Sequence, residues 1–277
     1  MTNINKSIKI NNLDMSNEKP FILISGPCVI ESKNHAFDMA SEIKEICKEL
    51  NIKFIYKSSF DKANRSSITS SRGVGIDEGL KILDFIKNEL KVNIITDVHE
   101  KEHCIEVMNV VDVIQIPAFL CRQTDLLIAA AKTGKAVMVK KGQFLAPWEV
   151  SNITDKLEAE GCKRIILCER GTSFGYNNLV SDMRSIPIMQ KTGWPVIFDA
   201  THSVQQPGGL GKSSGGKREF VPCLAQASIA VGVSGVFIET HDNPDNAPSD
   251  GPNMLKINNL KNLLVKLKQI DKIAKEL

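Results

Sequence analysis

Two hydrophobic patterns take turns along the chain. Short runs of apolar, often β-branched residues alternate with longer stretches in which apolar residues return every three or four positions. The first run is Phe21–Ser25 (FILIS), followed by a helical pattern over Ala36–Leu50 with Ala40, Ile43, Ile46 and Leu50 on one stripe. Strand patterns then fall at Lys53–Lys57, Val92–Thr96, Val113–Ile116, Ala136–Lys140, Arg164–Cys168, Pro195–Ala200 and Gly235–Thr240. The helical patterns between and after them cover Ile76–Leu90, Lys101–Asn109, Thr124–Thr133, Glu149–Glu160, Leu179–Gln190, Phe220–Val231 and Ile257–Glu276.

Strands that alternate with helices need crossover connections, and crossovers make a parallel sheet. The strand runs are apolar almost throughout, as expected when helices cover one face and a core the other. Eight such units in 277 residues match an α/β fold of the (β/α)8 (TIM) barrel type, with a doubly wound open sheet as the rival. The expected organisation is a short N-terminal extension over residues 1–20, packed outside the barrel or partly mobile, and one catalytic barrel over 21–277. Two connections break the rhythm. Residues 203–219 (SVQQPGGLGKSSGGKRE) form a long Gly- and Ser-rich link, a length that belongs to functional lids or disordered segments. Residues 241–253 (HDNPDNAPSDGPN) follow the eighth strand.

Polar residues gather just after the strands, where a barrel builds its active site. Six of them are cations: Lys57, Lys62, Arg65, Lys140, Lys141 and Arg170. At one mouth they would repel one another unless they held anions, so phosphate and carboxylate groups are the expected ligands. Cys28, His202 and Glu239 end strands one, seven and eight, which are consecutive neighbours in a closed barrel, and Asp250 lies just beyond. Such a set suits Fe(II) or Zn(II), although a cysteine such as Cys28, taken alone, is more often a small buried hydrophobe than a ligand. His99, His103 and His241 carry no assigned role.

Composition removes several classes of function. A net charge of +3 and no concentrated basic face argue against nucleic-acid binding. No apolar run is long enough to cross a bilayer, and the polar N-terminus lacks the apolar core of a signal peptide. Seven cysteines with no CxxC pair read as free thiols in a reducing compartment, hence a cytoplasmic protein with no membrane partner.

Eight segments carry a resemblance: GPCVIES (26–32), KSSFDKANRSS (57–67), TDVHE (96–100), QIPAFLCRQTDLL (115–127), VKKGQF (139–144), ERGTSFGYNNLVSDMRSIPIM (169–189), FDATHSVQQPGGLG (198–211) and FIETHDNP (237–244). In this order they resemble the 3-deoxy-D-manno-octulosonate 8-phosphate synthase family over nearly the whole chain after residue 20. The related heptulosonate 7-phosphate synthases share the barrel and a first motif of the GPC type, but the KANRSS and FLCRQTDLL segments resemble the octulosonate enzymes.

The resemblance implies a transferase that condenses phosphoenolpyruvate with D-arabinose 5-phosphate and water, releasing phosphate, for lipopolysaccharide synthesis. It implies that Lys62, Ala118, Lys140, Gln143 and Arg170 hold phosphoenolpyruvate. Lys57, Ser59, Asn64, Arg65, Ser66 and Asp97 would hold the sugar phosphate, joined by Arg122 from a neighbouring subunit of a homotetramer. Lys140, His202, Asp250 and Asp97 are the implied catalytic residues, and 208–216 the implied lid. Cys28 stands where metal-dependent members have cysteine and metal-free members asparagine. This implies a divalent metal (Fe2+, Zn2+ or Mn2+) on Cys28, His202, Glu239 and Asp250, with no organic cofactor. The segment Asp250-Gly251-Pro252 departs from that pattern, matching the metal-free members at least as well. Two other readings stay open: another phosphoenolpyruvate-condensing synthase, such as a heptulosonate or sialic acid synthase, and a non-catalytic phosphosugar-binding barrel.

Overall fold

The structure, a computed structural model, describes residues 5–65, 67–208 and 215–276. Eight parallel strands close into a ring: β1 (Ile22–Gly26), β2 (Lys53–Lys57), β3 (Asn93–Asp97), β4 (Val113–Ile116), β5 (Ala136–Lys140), β6 (Ile165–Glu169), β7 (Val196–Asp199) and β8 (Gly235–His241). Each pairs with the next, and β8 returns to β1 with Gly235 opposite Ile22 and Glu239 opposite Gly26. Closure excludes the open doubly wound sheet. Because both faces of the strands are buried, the apolar runs are a reliable guide: β2, β4 and β5 fall at the expected residues, and the other strands differ at their ends by one residue.

The crossover helices are α1 (Lys33–Glu49), α2 (Ile76–Leu90), α3 (Lys101–Val107), α4 (Thr124–Lys132), α5 (Val150–Ala159), α6 (Ser185–Gln190), α7 (Val221–Val231) and α8 (Leu260–Ala274). Each amphipathic stripe turns inward; α1 buries Ala36, Met39, Ala40, Ile43 and Cys47 on the ring. The sixth helix starts six residues later than the pattern suggests. Thr172–Ser173 and Leu179–Val180 instead pair as a small antiparallel hairpin on the rim.

Residues 8–15 form another hairpin, in which Ile8 pairs with Met15 and Ile10 with Leu13. All four apolar side chains are buried and the polar ones between them point out. The hairpin lies against the strand starts. Asn11 Nδ2 donates to Asn93 Oδ1 at 2.7 Å and to Asp112 Oδ1 at 2.9 Å. Next to it, Asn17 Oδ1 accepts from Val196 N at 3.0 Å and Ser234 Oγ at 2.6 Å, while Asn17 Nδ2 donates to Trp194 O at 3.1 Å. The extension thus covers the end of the barrel opposite the strand C-termini.

At the other end, backbone geometry sets the rim. A Cβ on Gly26 would lie 1.9 Å from Lys57 O, so only glycine lets β1 and β2 run this close at their ends. Cys28 and Asp250, both expected in the site, have left-handed backbones with φ of 45° and 52°. Such conformations in non-glycine residues concentrate at functional sites.

Candidate active site

A cavity of about 570 Å³ opens among the C-terminal ends of the strands. Lys57 ends β2, and Lys62, Asn64 and Arg65 come from the connection after it. Asp97 ends β3, Ala118 begins the turn after β4, Lys140 ends β5, Arg170 follows β6, His202 follows β7 and Asp250 follows β8; all line the same space. The convergence expected from the sequence is therefore present for five of the six cations. Lys141 is the correction: residues alternate across a strand, so when Lys140 faces inward its neighbour faces away. Lys141 is buried behind the wall, bonded to Gly142 O, Leu145 O and Thr172 Oγ1 and 3.5 Å from Glu169 Oε1.

The cations divide by their partners. Lys140 Nζ donates to Asp199 Oδ2 at 2.6 Å. Lys57 Nζ sits 3.3 Å from Glu239 Oε1 and 3.8 Å from Asp97 Oδ1 and also bonds Ser59 Oγ. Arg65 is held by neutral oxygens of Ser71, Pro248 and Ser249. Among the described residues, Arg170 Nη2 donates to His202 O and Gln205 Oε1. Among the described residues, Lys62, Arg65 and Arg170 have no acidic partner within ion-pair distance. Burial pushes the Lys62 ammonium down, but the surrounding Cys28, Glu239, Asp97 and Asp250 more than reverse this and keep it charged. A buried cation without a bonded counter-ion is costly, and an external anion would relieve that cost.

The carboxylates form the opposite wall. Burial alone would raise the Asp97 carboxyl; Lys57, the bond to His99 and Lys62 together hold it well below the usual range. Ser59 Oγ donates to Asp97 Oδ1 and His99 Nε2 lies 3.0 Å from Oδ2. Asp199 is likewise depressed against the effect of burial, by His202 and Lys140. Its Oδ2 lies 2.8 Å from His202 Nδ1 and its Oδ1 accepts the His202 backbone N–H at 2.8 Å. A carboxylate only accepts, so His202 donates from Nδ1 and its Nε2 points away from Asp199. That nitrogen is 3.7 Å from Glu239 Oε2.

These atoms fit a divalent metal. One donor atom each from Cys28, Glu239 and Asp250 lie within 4.8 Å of one another, and His202 Nε2 faces the same group. Glu239 Oε2 is fully buried and has no hydrogen-bond partner, a costly state that a cation would relieve. The Asp199–His202 pair supplies the carboxylate backing that metal-bound histidines usually have. Cys28 donates to Asp250 Oδ2 at 3.2 Å; burial, and then Glu239, push its thiol well above the ordinary cysteine value. A second acid–histidine group, Glu31, His35 and His241, sits close by. Its His241 has both nitrogens engaged, Nδ1 accepting from Asn243 N at 2.9 Å and Nε2 donating to Glu31 at 2.6 Å, which makes it a clamp between the β1 and β8 connections.

Some expected residues lie elsewhere. Gln143 is buried, does not line the cavity and has an unpartnered Oε1. Arg122 is exposed on the rim, outside the cavity of its own chain. Ser66, and residues 209–214 of the expected lid, lie outside the described residues. Sequence reasoning gave no role to Asp199, Gln205, Ser249 or His99. Asp199 could have been suspected as a buried acid at a strand end.

Comparison with known proteins agrees with this geometry. The family described as "DAHP synthetase I family" matches residues 5–276. Proteins named 2-dehydro-3-deoxyphosphooctonate aldolase are similar over almost their full length. That of Rickettsia prowazekii is 60% identical over 98% of this chain and 99% of its own. That of Bartonella henselae is 57% identical over 100% of this chain and 99% of its own. The chain belongs to the DAHP synthetase I family, among its 2-dehydro-3-deoxyphosphooctonate aldolases, the group also called 3-deoxy-D-manno-octulosonate 8-phosphate synthases.

Proposed function

We propose that this chain joins phosphoenolpyruvate to D-arabinose 5-phosphate and water, giving 3-deoxy-D-manno-octulosonate 8-phosphate and inorganic phosphate. The observation that carries the reading is the set of cations on one cavity, of which Lys62, Arg65 and Arg170 have no acidic partner among the described residues. Two phosphorylated substrates bring the anions that such a set requires.

Lys62 and Arg170 bind the phosphate and carboxylate of phosphoenolpyruvate, with Lys140 beside them and Ala118 shaping the pocket. Gln143 supports this subsite from behind. Asn64 and Arg65 hold the sugar phosphate, and Ser66, next in sequence, completes that segment. Lys57, Ser59 and Asp97 orient the sugar hydroxyls and aldehyde. C3 of the enol attacks the aldehyde carbon, water adds at C2, and the C2 phosphate then leaves. Charge at C2 meets fixed cations that need no reorganisation, the usual source of the largest rate gain. The Asp199–His202–Lys140 chain holds protons close to the reacting carbons, and Asp97 and Asp250 complete the acid–base groups of the cavity.

Cys28, His202, Glu239 and Asp250 would hold a divalent Fe, Zn or Mn ion. Bound there, the ion supplies Lewis acidity for orienting water or the aldehyde. Arg122 would reach the sugar phosphate site of a neighbouring subunit in a homotetramer. No helix among the described residues is long and apolar enough to cross a membrane, and all seven cysteines are free, which supports a cytoplasmic setting.

The test is phosphate release from phosphoenolpyruvate with arabinose 5-phosphate against erythrose 4-phosphate, before and after chelation. Turnover with the five-carbon sugar alone is the expected result; turnover with erythrose 4-phosphate alone would overturn it.

A further inference from the structure

The proposed reaction assigns nothing to Gln205, yet its side chain lies at the junction of the site's two halves. Its Oε1 accepts from Arg170 Nη2 at 2.9 Å and its Nε2 donates to Asp250 Oδ1 at 2.9 Å. A side-chain amide can accept from a guanidinium and donate to a carboxylate at once without changing its protonation. Both partners need the help. Arg170 Nη2 has one other acceptor, the carbonyl of His202. Asp250 has a left-handed backbone and is fixed through its carboxylate: Oδ2 takes bonds from Cys28 Sγ at 3.2 Å and Ser249 Oγ at 2.9 Å, leaving Oδ1 to Gln205.

The backbone of Gln205 is anchored as well. Gln205 and Gln206 pair antiparallel with Gly216 and Gly215, and Gly208 lines the cavity. Gly216 in turn presses on the turn that follows Asp250: a Cβ there would lie 1.4 Å from Asn253 Oδ1. One residue thus ties together the long connection after β7, the anion receptor and the carboxylate after β8.

We infer that Gln205 is a positioning residue, whose amide sets Arg170 for the phosphoenolpyruvate anion and holds it in register with Asp250. The inference rests on the assignment of Arg170 to phosphoenolpyruvate above. Losing the amide frees the Arg170 guanidinium on one side and the Asp250 carboxylate on the other. A glutamate at this position still accepts from Arg170, but it repels Asp250 and competes with the substrate for the guanidinium.

The experiment compares wild type with Gln205→Met and Gln205→Glu by steady-state kinetics for each substrate, with thermal unfolding measured alongside. Both variants preserve side-chain length, and the second also preserves polarity, so that one folded variant suffices. Expected are a rise of about tenfold in KM for phosphoenolpyruvate in Gln205→Met and a larger rise in Gln205→Glu, with a fall in kcat. KM for arabinose 5-phosphate should stay within about twofold, and the unfolding temperature should hold. Unchanged kinetics would overturn the inference, and so would equal rises in both KM values accompanied by a lower unfolding temperature. A wrong reaction shows differently, as wild type that does not release phosphate with these two substrates.

Discussion

Lys62 and Arg65 bear different burdens from Lys57 and Lys140, and substitution should separate them. Lys57 and Lys140 are bound to buried acids, so truncating either leaves Glu239 or Asp199 exposed to an unpaired burial cost. Lys62 has no acid within ion-pair distance among the described residues, so Lys62→Met breaks no direct pair, and Asp97 keeps Lys57 and His99 beside it. We expect its unfolding temperature to match wild type within experimental error and its KM for phosphoenolpyruvate to rise at least about tenfold, near 1.4 kcal/mol. A lowered unfolding temperature with unchanged KM would place Lys62 in the framework instead. Arg65→Ala should weaken arabinose 5-phosphate binding far more than phosphoenolpyruvate binding; calorimetry that finds equal weakening would misplace it. Cys28→Asn should lower bound metal per chain by elemental analysis, and unchanged stoichiometry would remove Cys28 from the donor set. At this scale the cast of charged residues was legible in the chain, but their pairing was not. Lys140 and Asp199 are 59 positions apart, and Lys57 and Glu239 are 182 apart. No local pattern links them, and Lys141, adjacent to Lys140, could not be told from it until strand alternation fixed which one faced inward.

Elements were far more legible, because their signals are local. Strands buried on both faces must be apolar along their whole length, and that property alone located all eight. Misses came where the segment is short. The extension over residues 1–20 also holds a hairpin, in which Ile8, Ile10, Leu13 and Met15 alternate on either side of Asn11-Asn12, a readable strand–turn–strand signal. The helix expected from Leu179 failed because Leu179 and Val180 pair across the rim hairpin, a tertiary demand that overrides helical periodicity. The N-terminal hairpin offers a test at this scale. Asn17 beside it makes three buried hydrogen bonds to the segments leading into β7 and β8. Asn17→Ala strands the Val196 N–H and Ser234 hydroxyl and should cost about 2–4 kcal/mol, a fall on the order of 5–10 °C in unfolding temperature. Because these bonds lie at the far end from the cavity, kcat and both KM values should hold at temperatures where the variant stays folded. Lost activity with unchanged stability would contradict this division of the barrel into a supporting end and a reacting end.

For the whole molecule, the question is whether one chain makes a complete site. Arg122 is exposed on the rim and does not line its own chain's cavity. It shares the C-terminal side of β4 to β6 with Phe119, Phe144 and Phe174, apolar side chains more than half exposed in the single chain. If Arg122 serves a neighbour, a site draws its anion receptor from one chain and its rim arginine from another. Two inactive variants should then repair each other. Arg122→Ala keeps an intact receptor, and Lys62→Met keeps an intact Arg122. Each alone should show weakened turnover. After unfolding and refolding together, random pairing in mixed assemblies leaves about a quarter of the sites with both residues native. Mixing should therefore raise phosphate release well above the mean of the two variants, toward about a quarter of wild type. If Arg122 instead folds back onto its own cavity, every site carries one defect whichever chains assemble, and mixing gains nothing. Light scattering on the same samples completes the test, because the gain requires an oligomer: a monomeric mixture with restored activity would contradict the shared site as directly as a tetrameric mixture without it.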